Sequence, residues 1–230
     1  MWIDPLSWLF MLPGLIIAGI ASAYTHSTFN KYKMYCASSR ITGAQAAQRL
    51  LSAAGIFDVR IERVGGFLTD HYDPTAKVLR LSPDVFDGIS LSSIGVACHE
   101  AGHAIQHATA YGPLCLRTGL VPLTNITSVG AYIIIPLGFF LMSQEMILTG
   151  AILFGVSVLF TLVTLPVEWD ASARAKKLMV TCGIVTPQEQ SGAAEVLNAA
   201  FMTYVASAVS SLLMLLYYLL RAGVIGGRKD

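Results

Sequence analysis

His99-Glu100-Ala101-Gly102-His103 spells H-E-x-x-H, and these five residues hold the densest chemistry in the chain. On a helix, side chains at i and i+4 lie one above the other on a single face. His99 and His103 can then offer two imidazole nitrogens to one ion, with the Glu100 carboxylate beside the place where a metal-held water would sit. A random ordering of a chain with five His and six Glu in 230 residues would produce the pattern only about 0.003 times. Two solvated helix histidines beside an unrelated glutamate are therefore the weaker explanation. The chemistry of such a site is hydrolysis: the ion acidifies a water and the glutamate takes its proton.

A catalytic zinc keeps three protein ligands and one water, so a third ligand has to be found. His107 fails on distance, because eight residues of helix rise about 12 Å while Zn–N bonds are about 2.1 Å. No glycine turn precedes it, and Ile105-Gln106-His107 continues the helix, so His107 is expected beside the site or in solvent. His71, in Thr69-Asp70-His71-Tyr72-Asp73-Pro74, is a candidate for lining the substrate cleft, or else a surface-turn histidine. Glu168, in Pro166-Val167-Glu168-Trp169-Asp170, is the best third ligand: Pro166 can open a helix, and a carboxylate on its first turn would face the site. The alternative is that Glu168 and Asp170 only complement a helix dipole. Asp170 is the competing ligand, but it is rotated about 200° from Glu168, so a regular helix cannot bring both to one ion. Asp170 is instead expected to accept a hydrogen bond from a ligating His N–H. His71 and Tyr204 are candidates for stabilising the oxyanion.

These residues need elements to position them. Ala47, Leu50 and Leu51 are spaced for a helix over 43–54, with Thr42 as its N-cap and Gly55 at its end. Phe57, Val59 and Ile61 alternate with charged residues, which predicts a strand. Gly65-Gly66 breaks it, and Tyr72-Asp73-Pro74 predicts a turn. A second strand is expected from Lys77 to Leu81, where edge pairing could hold an extended substrate. Ser90 can cap the helix carrying H-E-x-x-H, which should run to about Ala110 and end at Gly112-Pro113.

The composition is that of a membrane protein: 54% of residues are hydrophobic and 13% charged, with mean hydropathy +0.62, whereas soluble domains carry about 25% charged residues. A net charge of +1 and the lack of a basic run give no support to a nucleic-acid partner. Cys36, Cys98, Cys115 and Cys182 are far apart with no C-x-x-C, so neither a disulfide framework nor a cysteine zinc site is expected. Four segments can span a bilayer, which takes about 20 residues: about Pro5 to Tyr24, Leu120 to Met142, Met146 to Leu165 and Thr203 to Leu220. The first is read as an uncleaved anchor, since no Lys or Arg precedes it. Ser143-Gln144-Glu145 joins the second and third in a tight hairpin, and Thr124, Asn125, Thr127 and Ser128 should face another helix.

The expected fold is thus a mainly α membrane protein, with about four transmembrane helices and a small α+β zincin-like metallopeptidase domain on one side of the membrane. The segments are an anchor at 1–24, the first part of the metallopeptidase domain at 25–118, the helical hairpin at 119–166, the second part with the third ligand at 167–202, and a C-terminal membrane helix with a basic tail at 203–230. Twelve of the fifteen Lys and Arg lie in the two polar stretches, which predicts a cytoplasmic domain. Arg221, Arg228 and Lys229 count the other way, unless the last segment is re-entrant or interfacial.

The chain resembles the YugP-type membrane-bound neutral zinc metallopeptidases, distant relatives of HtpX and the CAAX prenyl-protein proteases. The resemblance is carried by Asp70-His71-Tyr72-Asp73-Pro74, Leu81-Ser82-Pro83, the run from His99 to His107, Pro166-Val167-Glu168-Trp169-Asp170-Ala171-Ser172 and Leu197-Asn198-Ala199-Ala200. It implies a gluzincin-like peptidase in a bacterial cell membrane, with one Zn2+ per chain, His99, His103 and a downstream glutamate matching Glu168 as ligands, and Glu100 as base. Peptides or proteins, membrane proteins among them, would be its substrates. HtpX relatives carry E-x-x-x-D after the hairpin, whereas Ser172 stands at that fifth position here and the acid is Asp170. Two rivals differ in class. One is an inactive membrane scaffold with a structural metal, which would have no use for Glu100. The other is an intramembrane protease, which would need the polar His99–His107 helix to cross lipid.

Overall fold

The computed structural model describes residues 4–66 and 69–226. The chain runs α1 (Pro5–Lys33), α2 (Gly43–Ala53), β1 (Arg60–Arg63), β2 (His71–Asp73), β3 (Val78–Leu81), α3 (Pro83–Phe86), α4 (Leu91–Ala108), α5 (Gly112–Phe140), α6 (Gln144–Thr181) and α7 (Pro187–Arg221). Four of these helices, α1, α5, α6 and α7, are long and apolar enough to cross a membrane, and a small mixed sheet accompanies the others. Packing divides the chain into two compact units. One comprises Met1–Ala21, Leu116–Leu165 and Thr203–Asp230; the other comprises Ser22–Cys115 and Pro166–Met202. We call them the apolar-helix unit and the mixed unit.

Local chemistry sets the boundaries in the mixed unit. Thr42 and Gln45 form a reciprocal capping box that starts α2. Gly55 supplies the positive φ of 73° that ends it. Thr186 and Glu189 exchange the same pair of bonds at the start of α7. That helix begins well before its apolar run because Ala193, Val196 and Leu197 recur at helical spacing and are buried. α7 is continuous through the last apolar run, where a re-entrant segment would break. Arg228 and Lys229 lie outside the described residues.

The sheet departs from the sequence reading in three ways. Phe57 is 79% exposed and precedes β1, which starts at Arg60. Tyr72 and Asp73 are strand rather than turn; the turn follows, with Asp73 Oδ1 accepting from the amides of Thr75 and Ala76. The strand order is β1-β3-β2, with β1 parallel and β2 antiparallel to β3. β3 is therefore central, both its edges are taken, and Lys77–Leu81 cannot pair with a substrate. Its Leu79 and Leu81 enter a core shared with Leu50 and Leu51 of α2, Ile94 and Ala101 of α4, and Met179 of α6.

Two helix boundaries also differ. Gly112-Pro113 opens α5 rather than closing α4, which ends at Ala108 with Thr109 as its cap and Ala110 at positive φ. Pro166 lies inside α6 instead of starting a new helix. An interior proline costs a helix about 3 kcal/mol. Burial of the apolar side chains of Val167, Ala171 and Ala175 after it offsets that cost. In the apolar-helix unit, Thr127 of α5 is buried and the Ser128 and Ser157 hydroxyls of α5 and α6 meet at 3.2 Å.

Candidate metal centre

α4 holds the H-E-x-x-H residues. Ser90 starts it, its hydroxyl accepting from the Ser93 amide. Ile94, Ala97, Cys98, Ala101 and Ile105 point into the core, which fixes the helix's rotation and turns His99 and His103 away from it. Cys98 is fully buried, and burial pushes its thiol up, the signature of an inert core cysteine. The two imidazoles stand edge to face with centroids 4.7 Å apart. Gly102 lies between them in sequence, and a Cβ there would sit 2.6 Å from the Ala171 carbonyl oxygen of α6. Only glycine permits so close a helix approach, and that approach delivers Glu168.

Glu168 is 2% exposed. Its Oε2 is 3.2 Å from His99 Nε2 and 3.5 Å from His103 Nε2. One ligand atom from each of the three side chains falls within 4.8 Å of the others. Two donors each about 2.1 Å from a tetrahedral zinc ion lie about 3.4 Å apart, so this set of two imidazoles and one carboxylate fits zinc in both chemistry and spacing. Burial alone would raise the Glu168 carboxyl, but its hydrogen bonds with His103 and His99 and their charges hold it well below the usual carboxylate range. Burial alone would lower the His103 imidazole. Its bond to Glu168, the charges of Glu100 and Glu168, and the Gln106 contact instead raise it.

The far sides of the imidazoles are also held. His103 Nδ1 is 3.0 Å from Gln106 Oε1, and His99 Nδ1 is 3.1 Å from Ser172 Oγ. Asp170 does not touch a histidine, contrary to expectation. It accepts from Gln106 Nε2 at 2.8 Å and from Arg174 Nε at 2.6 Å, because its position on α6 turns it from the imidazoles toward Gln106. The H-E-x-x-H pattern gives Gln106 no role, although its i+3 spacing from His103 puts both on one face.

The remaining candidates are placed as follows. Glu100 is buried on α4, and its charge adds to the rise that burial imposes on the Asp70 carboxyl against hydrogen bonds from Ser82. His107 does not join the cluster; its Nδ1 is 2.9 Å from the Tyr72 hydroxyl. His71 lies on β2, with ring contacts to the Thr69 carbonyl and Arg80. Tyr204 lies on α7, in the segment assigned to the apolar-helix unit.

Residues 7–223 match the family described as "Putative neutral zinc metallopeptidase". The chain is 47% identical over 194 residues to "Putative membrane protease YugP" of Bacillus subtilis (strain 168), covering 84% of this chain and 86% of that one. No solved structure matches. A match across nearly the whole chain and this degree of identity establish that the chain belongs to the neutral zinc metallopeptidase family of YugP-type membrane proteins.

Proposed function

We propose that the chain is a membrane-bound zinc metalloendopeptidase that hydrolyses peptide bonds with water. His99, His103 and Glu168 would hold one Zn2+, and Glu100 would be the general base. The observation that carries this reading is the pair of distances from Glu168 Oε2 to the two imidazoles, 3.2 and 3.5 Å, with Glu100 next to the first histidine. A bound zinc ion supplies Lewis acidity, which polarises a carbonyl and makes water acidic near neutral pH. Glu100 takes the proton of the attacking water and passes it to the leaving amine. β2 is an edge strand, so an extended peptide pairing with it would replace the pairing first expected of Lys77–Leu81.

The substrates are peptides or proteins, membrane proteins among them. The relative's name, a membrane protease of a bacterium, supports a bacterial cell membrane location. The distribution of Lys and Arg supports a cytoplasmic catalytic domain. Arg221 forms an ion pair with Asp4 at 3.2 Å. The segments 25–118 and 167–202 would make up the catalytic domain, and the division by packing supports that partition. α4 is not among the four helices apolar enough to cross a membrane, which weighs against intramembrane proteolysis.

The test is Glu100→Gln in the full-length protein. The variant should retain zinc by metal analysis and lose chelator-sensitive cleavage of casein, by about 100-fold or more if the base is essential. Glu168→Ala should lose the zinc itself. Undiminished cleavage by Glu100→Gln would overturn the assignment of the base, and wild-type protein without zinc would overturn the metal site.

A further inference from the structure

We infer that Gln106 is a positioning residue that selects the tautomer of His103, through a relay ending on Asp170 and Arg174. The inference rests on reading His99, His103 and Glu168 as metal ligands, and adds to that site a group outside the H-E-x-x-H pattern.

Gln106 is 0% exposed, so each polar atom of its amide needs a partner. Nε2 is 2.8 Å from the Val167 carbonyl oxygen and 2.8 Å from Asp170 Oδ2. The carbonyl can only accept, and Oδ2 already accepts from Arg174 Nε at 2.6 Å. Both neighbours therefore demand the NH2 end of the amide. The oxygen end must then face His103 Nδ1, 3.0 Å away. An amide oxygen cannot donate, so Nδ1 carries the hydrogen and donates it. In the neutral ring this leaves the lone pair on Nε2, the atom that faces Glu168.

The flipped amide would present NH2 to Nδ1 and favour the tautomer whose Nε2 carries hydrogen and cannot ligate. It would also set the amide oxygen against the Val167 carbonyl and the Asp170 carboxylate. The relay thus penalises the wrong tautomer twice. His99 is held differently: its Nδ1 meets the Ser172 hydroxyl, which can donate or accept and so selects neither tautomer. One imidazole of the pair is locked and the other is adaptable.

The test uses full-length protein in detergent. Zn2+ affinity is read by chelator competition and ligand geometry by the visible spectrum of the Co2+ form. Gln106→Leu should weaken Zn2+ binding about 10- to 100-fold and alter the Co2+ spectrum, with unchanged circular dichroism. Gln106→Met, which keeps the length of the side chain and removes both polar ends, should lose as much. Asp170→Asn, whose amide oxygen can still accept from Gln106 Nε2 and Arg174 Nε, should stay within about threefold of wild type. Ser172→Ala should shift affinity less than Gln106→Leu. Wild-type affinity and spectrum in Gln106→Leu, or a loss in Asp170→Asn as large as in Gln106→Leu, would overturn the inference while leaving the peptidase reading intact. Should Gln106→Leu fail to fold, Gln106→Met decides the question alone. Wild-type protein that binds Zn2+ but shows no chelator-sensitive cleavage would remove the peptidase reading and leave the relay standing. A wild type that binds neither ion would overturn both.

Discussion

The two compact units bury opposite kinds of surface. In the mixed unit the large apolar side chains are inside, Leu50, Leu79, Ile94 and Met179 among them. In the apolar-helix unit they face outward: Leu9, Ile126, Ile133 and Ile152 are all exposed. Polar groups differ in the same way. The mixed unit buries Glu100, Gln106 and Glu168, whose bonds and charges converge on two imidazoles. Between its helices the other unit uses mostly neutral hydroxyls, such as Ser128 with Ser157 and Thr161 with Ser211. Lipid replaces water as the solvent for one unit, so its helices have no hydrophobic drive to associate and rely on close packing. The other has a water-type core, rigid enough to hold charged groups in register.

Glycine substitution should break this comparison most visibly. At Gly102 a new Cβ would meet a backbone oxygen, Ala171 O at 2.6 Å, which cannot move without shifting α6. Gly102→Ala should destabilise by about 1–3 kcal/mol and weaken Zn2+ binding more than about tenfold, as Glu168 moves with its helix. At Gly130 the Cβ would meet only the end of the Leu153 side chain, at 3.1 Å. Gly130→Ala should be neutral or gain up to about 1 kcal/mol from helix propensity, with zinc affinity unchanged. Thermal melts and metal competition on both variants test the pair, and equal effects would mean that the α4–α6 approach is not what sets the site.

The same close approach marks where the sequence was legible. A capped helix under His99 and His103 follows from Ser90 and helical spacing, and Thr42 marks the start of α2, because both signals act within a turn of chain. Glu168 was named because it follows the apolar run, yet by the wrong route: Pro166 was expected to start a helix that in fact continues through it. Burial against α4 overrides the local preference there. β2 was missed because three residues ending before Pro74 look like a turn until β3 lies beside them. The order of the sheet depends on backbone pairings such as Arg60 with Val78, and the role of Gln106 depends on its meeting Asp170, 64 residues away in the chain. No local period encodes that.

pH should separate the units next. In chelator-treated protein the raised His103 pKa contributes stability that is full below the ordinary imidazole value of 6.5 and is lost as pH rises through its raised value. The depressed Glu168 pKa contributes stability present above 4.5 and lost only as pH falls through its lowered value. Chelated protein should therefore be most stable between 4.5 and 6.5 and weaken toward alkaline pH. With Zn2+ present the order reverses, because bound protons compete with the ion and their loss favours binding. Melting temperatures with and without chelator should diverge as pH rises through neutrality. Parallel curves would mean that the cluster does not couple to metal. Neutral hydroxyl contacts in the apolar-helix unit carry no charge and add nothing to this window.

The smallest contrast is between two serines. Ser92 is buried on α4, and its hydroxyl donates to the Phe29 carbonyl of α1 at 2.7 Å. Ser128 also bonds to a carbonyl, that of Thr124 on its own helix, and it meets Ser157 of α6. Removing Ser92 Oγ deletes the contact that joins two elements inside a water-type core, where one hydrogen bond is worth about 1 kcal/mol. Removing Ser128 Oγ leaves Ser157 free to turn toward a carbonyl of its own helix, and interhelical bonds in membranes average about 0.6 kcal/mol because such substitutes exist. Ser92→Ala should thus lower the melting temperature more than Ser128→Ala, with zinc content and cleavage unchanged in the latter. If Ser128→Ala costs as much as Ser92→Ala, hydroxyl pairing rather than close packing holds those helices, and the distinction between the two units weakens at its foundation.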